Sequence, residues 1–461
     1  MHIERELKFR LTTGALPRLA RLAPRRRKLT SIYYDTPEQQ LRRAGVALRL
    51  RRDGKAWLQA LKSESAPGGG LAARAEWEMP VQGKALDLGA FPHDEIRMAT
   101  GVDLASLARR LRPMFETRFT RRSGLLELPG KGSAELAIDR GFIVAARRRE
   151  PISEVELELK SGEPRGLLQL GEQLALPLAY ESKAERGYRL AAGLPRAPRK
   201  WRMPALDAAG APGAAFAALF AAALTQAGSN APGVLDSSDP EYLHQLRVGL
   251  RRLRSAMRAF APILRGTKPI KRSLRLLMPA LGTARDWDVF VQRLDHAKAR
   301  GRRNAARRAA RAAVSSPQFQ AFLLRALRWL QAQSWRESPL SLAQFGREAL
   351  ERLHRKTLKS STDNVKRRHR LRIRVKRLRY ACEFFAPCFP PAAVKPYVRE
   401  LEKLQDILGE LNDAAVARTL LQEIETRPPP SLALRERQLG AALAAAWAAF
   451  RKQPPYWCDR G

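Results

Sequence analysis

A duplication in the second half of the chain constrains its fold more than any other feature. The segment HQLRVGLRRLR at positions 244–254 returns as HRLRIRVKRLR at 369–379. Each copy is followed, about forty residues on, by a second matching element: LGTARDWDV at 281–289, then LGELNDAAV at 408–416. Two pairs in one order at similar separation describe a repeated unit that buries its apolar face against a neighbour. Alanine, leucine and arginine dominate while β-branched residues are scarce, so the unit reads as helical. At about 100° per residue, His244, Arg247, Arg251 and Arg254 fall in one narrow sector, as do His369, Arg372, Lys376 and Arg379. Leu246, Leu250, Leu253 and Met257 occupy another sector, matched by Leu371, Val375, Leu378 and Cys382, and that face is the expected core.

The basic sector needs a counter-charge. Lys366 to Arg379 holds nine lysines and arginines in fourteen residues and no acid, and like charges stacked on one helix face are unfavourable. A solvated face would explain one such helix; a duplicated one in a chain of net charge +40 points to a polyanionic partner. Asp286 and Asp413 read as internal salt-bridge partners that orient the arginines. His244 and His369 open the stripes, where each could donate to a phosphate oxygen or simply cap and pack; both readings stand. With its duplicated His-x-x-Arg-x-x-x-basic-basic-x-Arg helices, this half resembles the CHAD family of conserved-histidine α-helical domains. The resemblance implies two helical bundles that bind inorganic polyphosphate through Arg247, Arg251, Arg252 and Arg254 with Arg372, Lys376, Arg377 and Arg379. Guanidinium forks suit phosphate because they present paired donors that stay charged. The stripes hold few aromatics for base stacking and no RNA- or DNA-reading motif is recognised, so no specific nucleic-acid partner is expected.

The first half alternates charged and apolar residues with the period of a strand, as in ALRLR at 47–51 and EVELELK at 154–160. In IERELKF at 3–9 this puts Glu4, Glu6 and Lys8 on one face. Later segments repeat the mixture with Arg49 and Arg51, Lys62, Arg74, Glu76 and Glu78, Arg121, and Glu154, Glu156 and Glu158, opposite Leu48, Leu50, Leu61, Val155, Leu157 and Leu159. One such strand is by default a half-buried edge with its charges in water. Recurrence in strand after strand suggests a barrel whose charged faces line the interior. Carboxylates there would suit a hard divalent cation, Mg²⁺ best, and the cations would suit phosphate. Trp57 and Trp77 read as packing residues rather than stacking platforms.

This half also resembles a known family, the CYTH proteins, through ERELK at 4–8, YYDT at 33–36, ALRLR at 47–51, EWE at 76–78, DRG at 139–141, EVE at 154–156 and SKAERGY at 182–188. Ala60 stands where a threonine is common. The resemblance implies an antiparallel tunnel acting on triphosphates with Mg²⁺ or Mn²⁺, as inorganic triphosphatases, thiamine triphosphatases or adenylate cyclases do. It implies a clamp of Lys8, Arg49, Arg51, Lys62, Arg121 and Lys183, metal ligands Glu4, Glu6, Glu154 and Glu156, and Glu4, Glu6, Lys8 and Lys62 as the catalytic group.

The expectation is therefore an α+β multidomain chain: an N-terminal antiparallel β-barrel or tunnel with flanking helices over residues 1–192, a proline-containing linker at 193–213, and an all-α duplicated helical bundle over 214–453, its repeats at about 214–330 and 331–453. The expected function is hydrolysis of inorganic triphosphate to pyrophosphate and phosphate, with polyphosphate bound by the helices. Alternatives are a CYTH enzyme acting on thiamine triphosphate or ATP, and a non-catalytic polyphosphate-binding or granule-associated protein. The N-terminus is charged at once and no run of about eighteen apolar residues appears, so neither export nor a membrane span is expected. Cys382, Cys388 and Cys458 form no Cys-x-x-Cys, which fits a reducing cytoplasm.

Overall fold

The computed structural model describes residues 2–63, 68–293, 297–333 and 335–458. It divides into two units, Met1–Arg199 with Ser315–Ala332, and Lys200–Val314 with Gln333–Gly461. The first is built on eight strands: β1 His2–Arg10, β2 Arg25–Asp35, β3 Val46–Asp53, β4 Ala56–Ser63, β5 Leu71–Val81, β6 Arg112–Glu127, β7 Gly132–Ala145 and β8 Arg148–Gly162. They pair antiparallel in the order β1-β5-β4-β3-β2-β6-β7-β8 and close through β1 and β8 into a barrel. Between β3 and β4, Asp53 pairs with Ala56 and leaves a two-residue loop. Its first residue, Gly54, has φ 64, the conformation that tight hairpins require.

Alternation decides what each face meets. The apolar faces of β3, β4 and β5 turn outward, where Leu48, Leu61 and Trp77 pack with Leu41, Ile96, Leu104 and Leu107 from short flanking helices. Trp77 is thus a core residue, and Trp57 is half-buried. Two of the strings quoted from the sequence also acquire structural meaning. Asp35 of YYDT accepts hydrogen bonds from the backbone N–H groups of Thr36, Leu41 and Arg42, fixing the turn after β2. Ser182 and Glu185 of SKAERGY form a capping box on the helix Lys183–Ala191. That helix packs on β6, β7 and β8, where Tyr188 joins Tyr33, Phe115 and Phe119 in a second apolar cluster. The helix Pro317–Gln331, distant in sequence, also belongs to this unit: Gln320 accepts from the Leu178 N–H (3.2 Å), and Arg328 pairs with Glu172 (3.3 Å).

The second unit is helical. In order it contains Pro212–Asp236, Pro240–Ala259, Lys268–Arg293 and Ala297–Ser315, then Leu342–Leu358, Val365–Phe385, Pro391–Glu423 and Pro430–Lys452. The two stripe segments occupy the second helix of each set, and the second matching elements occupy the third. Leu246, Leu250, Leu253, Met257, Leu371, Val375, Leu378 and Cys382 are each at most 1% exposed, so the predicted core faces are the core. Full burial of one such leucine contributes about 1.5–3 kcal/mol. The stripe helices also pack on each other. Pro212–Asp236 approaches Pro240–Ala259 very closely at Gly249, where a Cβ would lie 2.6 Å from the Ala227 nitrogen. No described helix is long and apolar enough to cross a membrane.

Gly187 provides a test of packing against propensity. A Cβ there would sit 2.0 Å from Phe115 Cε2, whereas alanine in a helix interior is ordinarily favoured over glycine by about 1 kcal/mol. Overpacking wins: Gly187→Ala should destabilise the barrel unit by about 1–3 kcal/mol, read as a lower urea midpoint, and a raised midpoint would contradict the contact.

Candidate active site and anion-binding groove

The charged faces of the strands meet across the barrel interior. Lys62 on β4 reaches Glu4 on β1 (2.7 Å) and Glu76 on β5 (3.0 Å). Arg49 on β3 reaches Glu76 (3.4 Å) and Glu78 (3.2 Å). Arg74 pairs with Glu6 (3.1 Å), and Lys8 lies 3.0 Å from Glu156 and 3.8 Å from Glu6. The Lys62–Glu4 and Arg49–Glu76 contacts each skip a strand of the sheet, so these residues face one shared interior. Glu4, Glu6, Lys8, Arg49 and Glu154 are buried.

A second focus lies where β6, β7 and β8 meet the capped helix. Arg121 grips Asp139 with two nitrogens (2.8 and 2.7 Å) and reaches Glu156 (2.5 Å). Lys183, the first residue of the capped helix, places its ammonium 2.8 Å from Asp139 and 2.9 Å from Glu156, and also contacts Glu154. One oxygen from each of Asp139, Glu154 and Glu156 lies within 4.8 Å of the others. Burial would raise the Asp139 carboxyl, but Lys183 and Arg121 outweigh it and hold the group below its ordinary value. Burial likewise opposes ionisation of Glu156, yet Lys183, Lys8 and Arg121 hold it well below the carboxylate range. In return, the three carboxylates outweigh desolvation at Lys183 and raise its ammonium. Asp139, Glu156 and Lys183 are therefore charged at neutral pH.

The structure thus brings Lys8, Arg121, Lys183, Glu154 and Glu156 together, with Lys62, Arg49, Glu4 and Glu6 along the same interior. Glu4 and Glu6 each face a cation and belong to no three-carboxylate group among the described residues. Asp139, fully buried, was not singled out by the sequence reading as a ligand. Its signal lay in the register: Asp139 pairs with Arg121 on one side and Glu154 on the other. Arg51 is different in kind. Its contact is a long hydrogen bond to Ser31 (3.4 Å), with no carboxylate within ion-pair distance among the described residues. Burial, then Arg49 and Arg121, push its guanidinium down to about 10. It is a half-buried cation lacking a counter-charge.

In the helical unit, the two stripes meet. His244, Arg247, Arg251, Arg372 and Lys376 lie within electrostatic reach of one another across the paired helices. Burial, then Arg372 and Arg251, push Lys376 down to about 7, and burial with Arg285 pushes half-buried His244 down to about 4. His369 is exposed. Buried nitrogens of Arg247, Arg251, Arg372 and Arg377 have no hydrogen-bond partner among the described residues. Arg252 instead pairs with Glu383 (2.8 Å) and lies over the ring of Trp201 (4.7 Å), and Arg379 donates to Gln405 (2.7 Å). The predicted role of Asp286 and Asp413 does not appear. Asp413 pairs with Arg293 (3.3 Å), and Asp286 makes no ion pair among the described residues, its carboxyl raised by burial. Neither carboxylate lies within ion-pair distance of a stripe cation among the described residues, although Asp286 attracts Arg247 and Arg372, and Asp413 attracts Arg372 and Lys376, through space.

The sign of the Asp139 shift gives a measurable consequence. A folded-state value below the unfolded value of about 3.9 means a contribution to stability that is present above that value and lost progressively below about pH 5. Asp139→Asn should therefore lower the melting temperature at pH 7 in chelator-containing buffer, and the gap to wild type should close as pH falls toward 3. A gap independent of pH would contradict the charge pairing.

Comparison with known proteins agrees with this geometry. The CYTH domain family matches residues 2–188, and the CHAD domain family matches residues 218–422. A curated inorganic triphosphatase of Haemophilus influenzae is 32% identical over 171 residues, which is 35% of this chain and 46% of that protein; the chain thus spans about half the length of this relative. Among solved structures, the CHAD domain from the plant Ricinus communis is 32% identical, with TM-score 0.49, covering 56% of this chain and 96% of that one. A putative adenylyl cyclase from Hippeastrum with a dominant triphosphatase activity is 18% identical, with TM-score 0.31, covering 42% and 97%. The eight-stranded barrel with its charged interior is a CYTH domain and the duplicated helices are a CHAD domain, so the chain belongs to both families.

Proposed function

We propose that the barrel hydrolyses inorganic triphosphate to pyrophosphate and phosphate with a divalent metal ion, and that the helical unit binds inorganic polyphosphate. The observation that carries the first part is the convergence of Asp139, Glu154 and Glu156 on one point inside a barrel that also presents Lys8, Arg49, Lys62 and Arg121. That point already holds a positive charge, the Lys183 ammonium, and its oxygen donors are those a hard cation prefers. Mg²⁺ fits this donor set best, with Mn²⁺ as the alternative ion. When bound by these carboxylates it would supply Lewis acidity toward phosphoryl oxygens and activate a water nucleophile.

The chain's own residues supply the remainder. Lys8, Arg49, Lys62, Arg121 and Lys183 are held in fixed positions by carboxylates, so they present donors to phosphate oxygens without reorganising. Arg51 has no carboxylate to release and is the cation most ready to take a phosphate. Phosphoryl transfer needs alignment and charge stabilisation more than covalent help, and a closed, charged interior provides both. Glu4 and Glu6, as partners of Lys62 and Arg74, keep the clamp oriented and stand ready for a further ion. Inorganic triphosphate is favoured over a nucleotide because Trp77, an obvious candidate for stacking on a base, is packed outside the barrel. The curated relative over this region, an inorganic triphosphatase, supports the same choice. Polyphosphate binding rests on stripes in which Arg247, Arg251, Arg372 and Lys376 have no ion-pair partner among the described residues, in a cytoplasmic protein that would associate with polyphosphate granules.

Phosphate release from tripolyphosphate, long-chain polyphosphate, ATP and thiamine triphosphate, with Mg²⁺ and with Mn²⁺, tests the assignment. Tripolyphosphate should be the preferred substrate. Asp139→Asn and Glu156→Gln should each lower its turnover by about 10²-fold or more, the usual scale for removing a preorganised charge. Full activity in either folded variant would remove the metal assignment, and faster turnover of ATP would remove the substrate assignment.

A further inference from the structure

The two repeats of the helical unit differ at one charged position with consequences for the whole groove. In the register set by His244 and His369, Arg252 corresponds to Arg377, and Arg258 corresponds to Glu383. Where Arg252 of the first copy meets the second, it finds Glu383 at 2.8 Å, and Arg379 approaches the same carboxylate at 3.7 Å. Arg252 also lies over the rings of Trp201 (4.7 Å) and Tyr380 (5.5 Å). That side is neutralised and covered from within. On the equivalent side, Arg377 meets Arg258, with Arg254 and Arg374 beside them.

No ion pair to Arg254, Arg258 or Arg377 exists among the described residues, and the buried Nε of Arg377 has no hydrogen-bond partner. Arg374 is tied to neutral oxygens only, the carbonyls of Lys356 (2.8 Å) and Lys359 (3.2 Å) and the hydroxyl of Ser360 (2.9 Å). Burial and the neighbouring guanidiniums push Arg258 down to about 10. Four half-buried arginines thus gather where the other copy has a salt bridge.

We propose that Arg258 and Arg374 join Arg254 and Arg377 in an extended contact site for a condensed phosphate chain, so that polyphosphate continues beyond the expected set of residues on this side only. A phosphate chain fits because it is a flexible line of anionic oxygens without bases to stack, and the cluster offers guanidinium forks with no aromatic platform. The site rests on the reading of the helical unit as a polyphosphate binder.

The test is titration of the full-length protein with long-chain sodium polyphosphate at several salt concentrations, with melting curves to establish that each variant is folded. Arg258→Glu, which copies the neutralised side, should weaken binding about tenfold and make the salt dependence shallower by about one to two counterions. Arg258→Lys should retain most of the affinity. Unchanged affinity and salt slope in folded Arg258→Glu would overturn the asymmetric site while leaving polyphosphate binding intact. Failure of the wild-type protein to bind polyphosphate would instead remove the reading beneath it. Displacement of polyphosphate by single-stranded RNA at equal phosphate concentration would overturn the choice of ligand.

Discussion

A charge taken into a barrel is costly unless it meets its opposite there, and the first unit is organised largely around that requirement. Removing a single ion from water costs several kcal/mol even after relaxation, and breaking one buried pair strands the other partner. The interior answers with chains of pairs: Lys62 between Glu4 and Glu76, Lys8 between Glu6 and Glu156, Lys183 among three carboxylates. Such an arrangement adds little net stability compared with an apolar filling. Its value lies in holding many charges at defined positions, ready to exchange one partner for another. The barrel walls supply the stability, through leucines, valines and aromatics on the outward faces packed beneath helices.

The helical unit solves the opposite problem and leaves it unsolved on one surface. The core faces of its stripe helices are apolar, and the stripe arginines are pressed together by the same packing that buries Leu250 and Leu378. With Asp286 and Asp413 out of ion-pair reach, the protein stores electrostatic repulsion in its folded state. A multivalent anion would relieve it, so binding and stability should be coupled in this unit.

Much of this architecture was legible in the residues. Period-two alternation gave the strands and the side of each that carries charge, and helical spacing gave the core face of both repeats residue by residue. What escaped depends on partners far apart in sequence. Asp139 lay in a recognised string, but its place beside Glu154 follows from strand register, which no local pattern encodes. The salt-bridge role expected of Asp286 and Asp413 was not met at ion-pair distance because sequence gives separation along the chain, not the distance between helices. The attachment of Pro317–Gln331 to the barrel unit was hidden for a similar reason: its amphipathic pattern specifies a buried face but not the surface that buries it.

Gly249 bears on how the chain finds its fold. Two helices of similar sequence in one polypeptide invite each to dock in the other's place, a characteristic misassembly of duplicated proteins. The helix Pro212–Asp236 accepts a partner only where backbone can touch backbone, since even a methyl group at position 249 would meet the Ala227 nitrogen. The corresponding residue of the second copy is Arg374. Val365–Phe385 therefore cannot take the seat of Pro240–Ala259, and the missing side chain acts as a key that sorts the two copies while the chain folds.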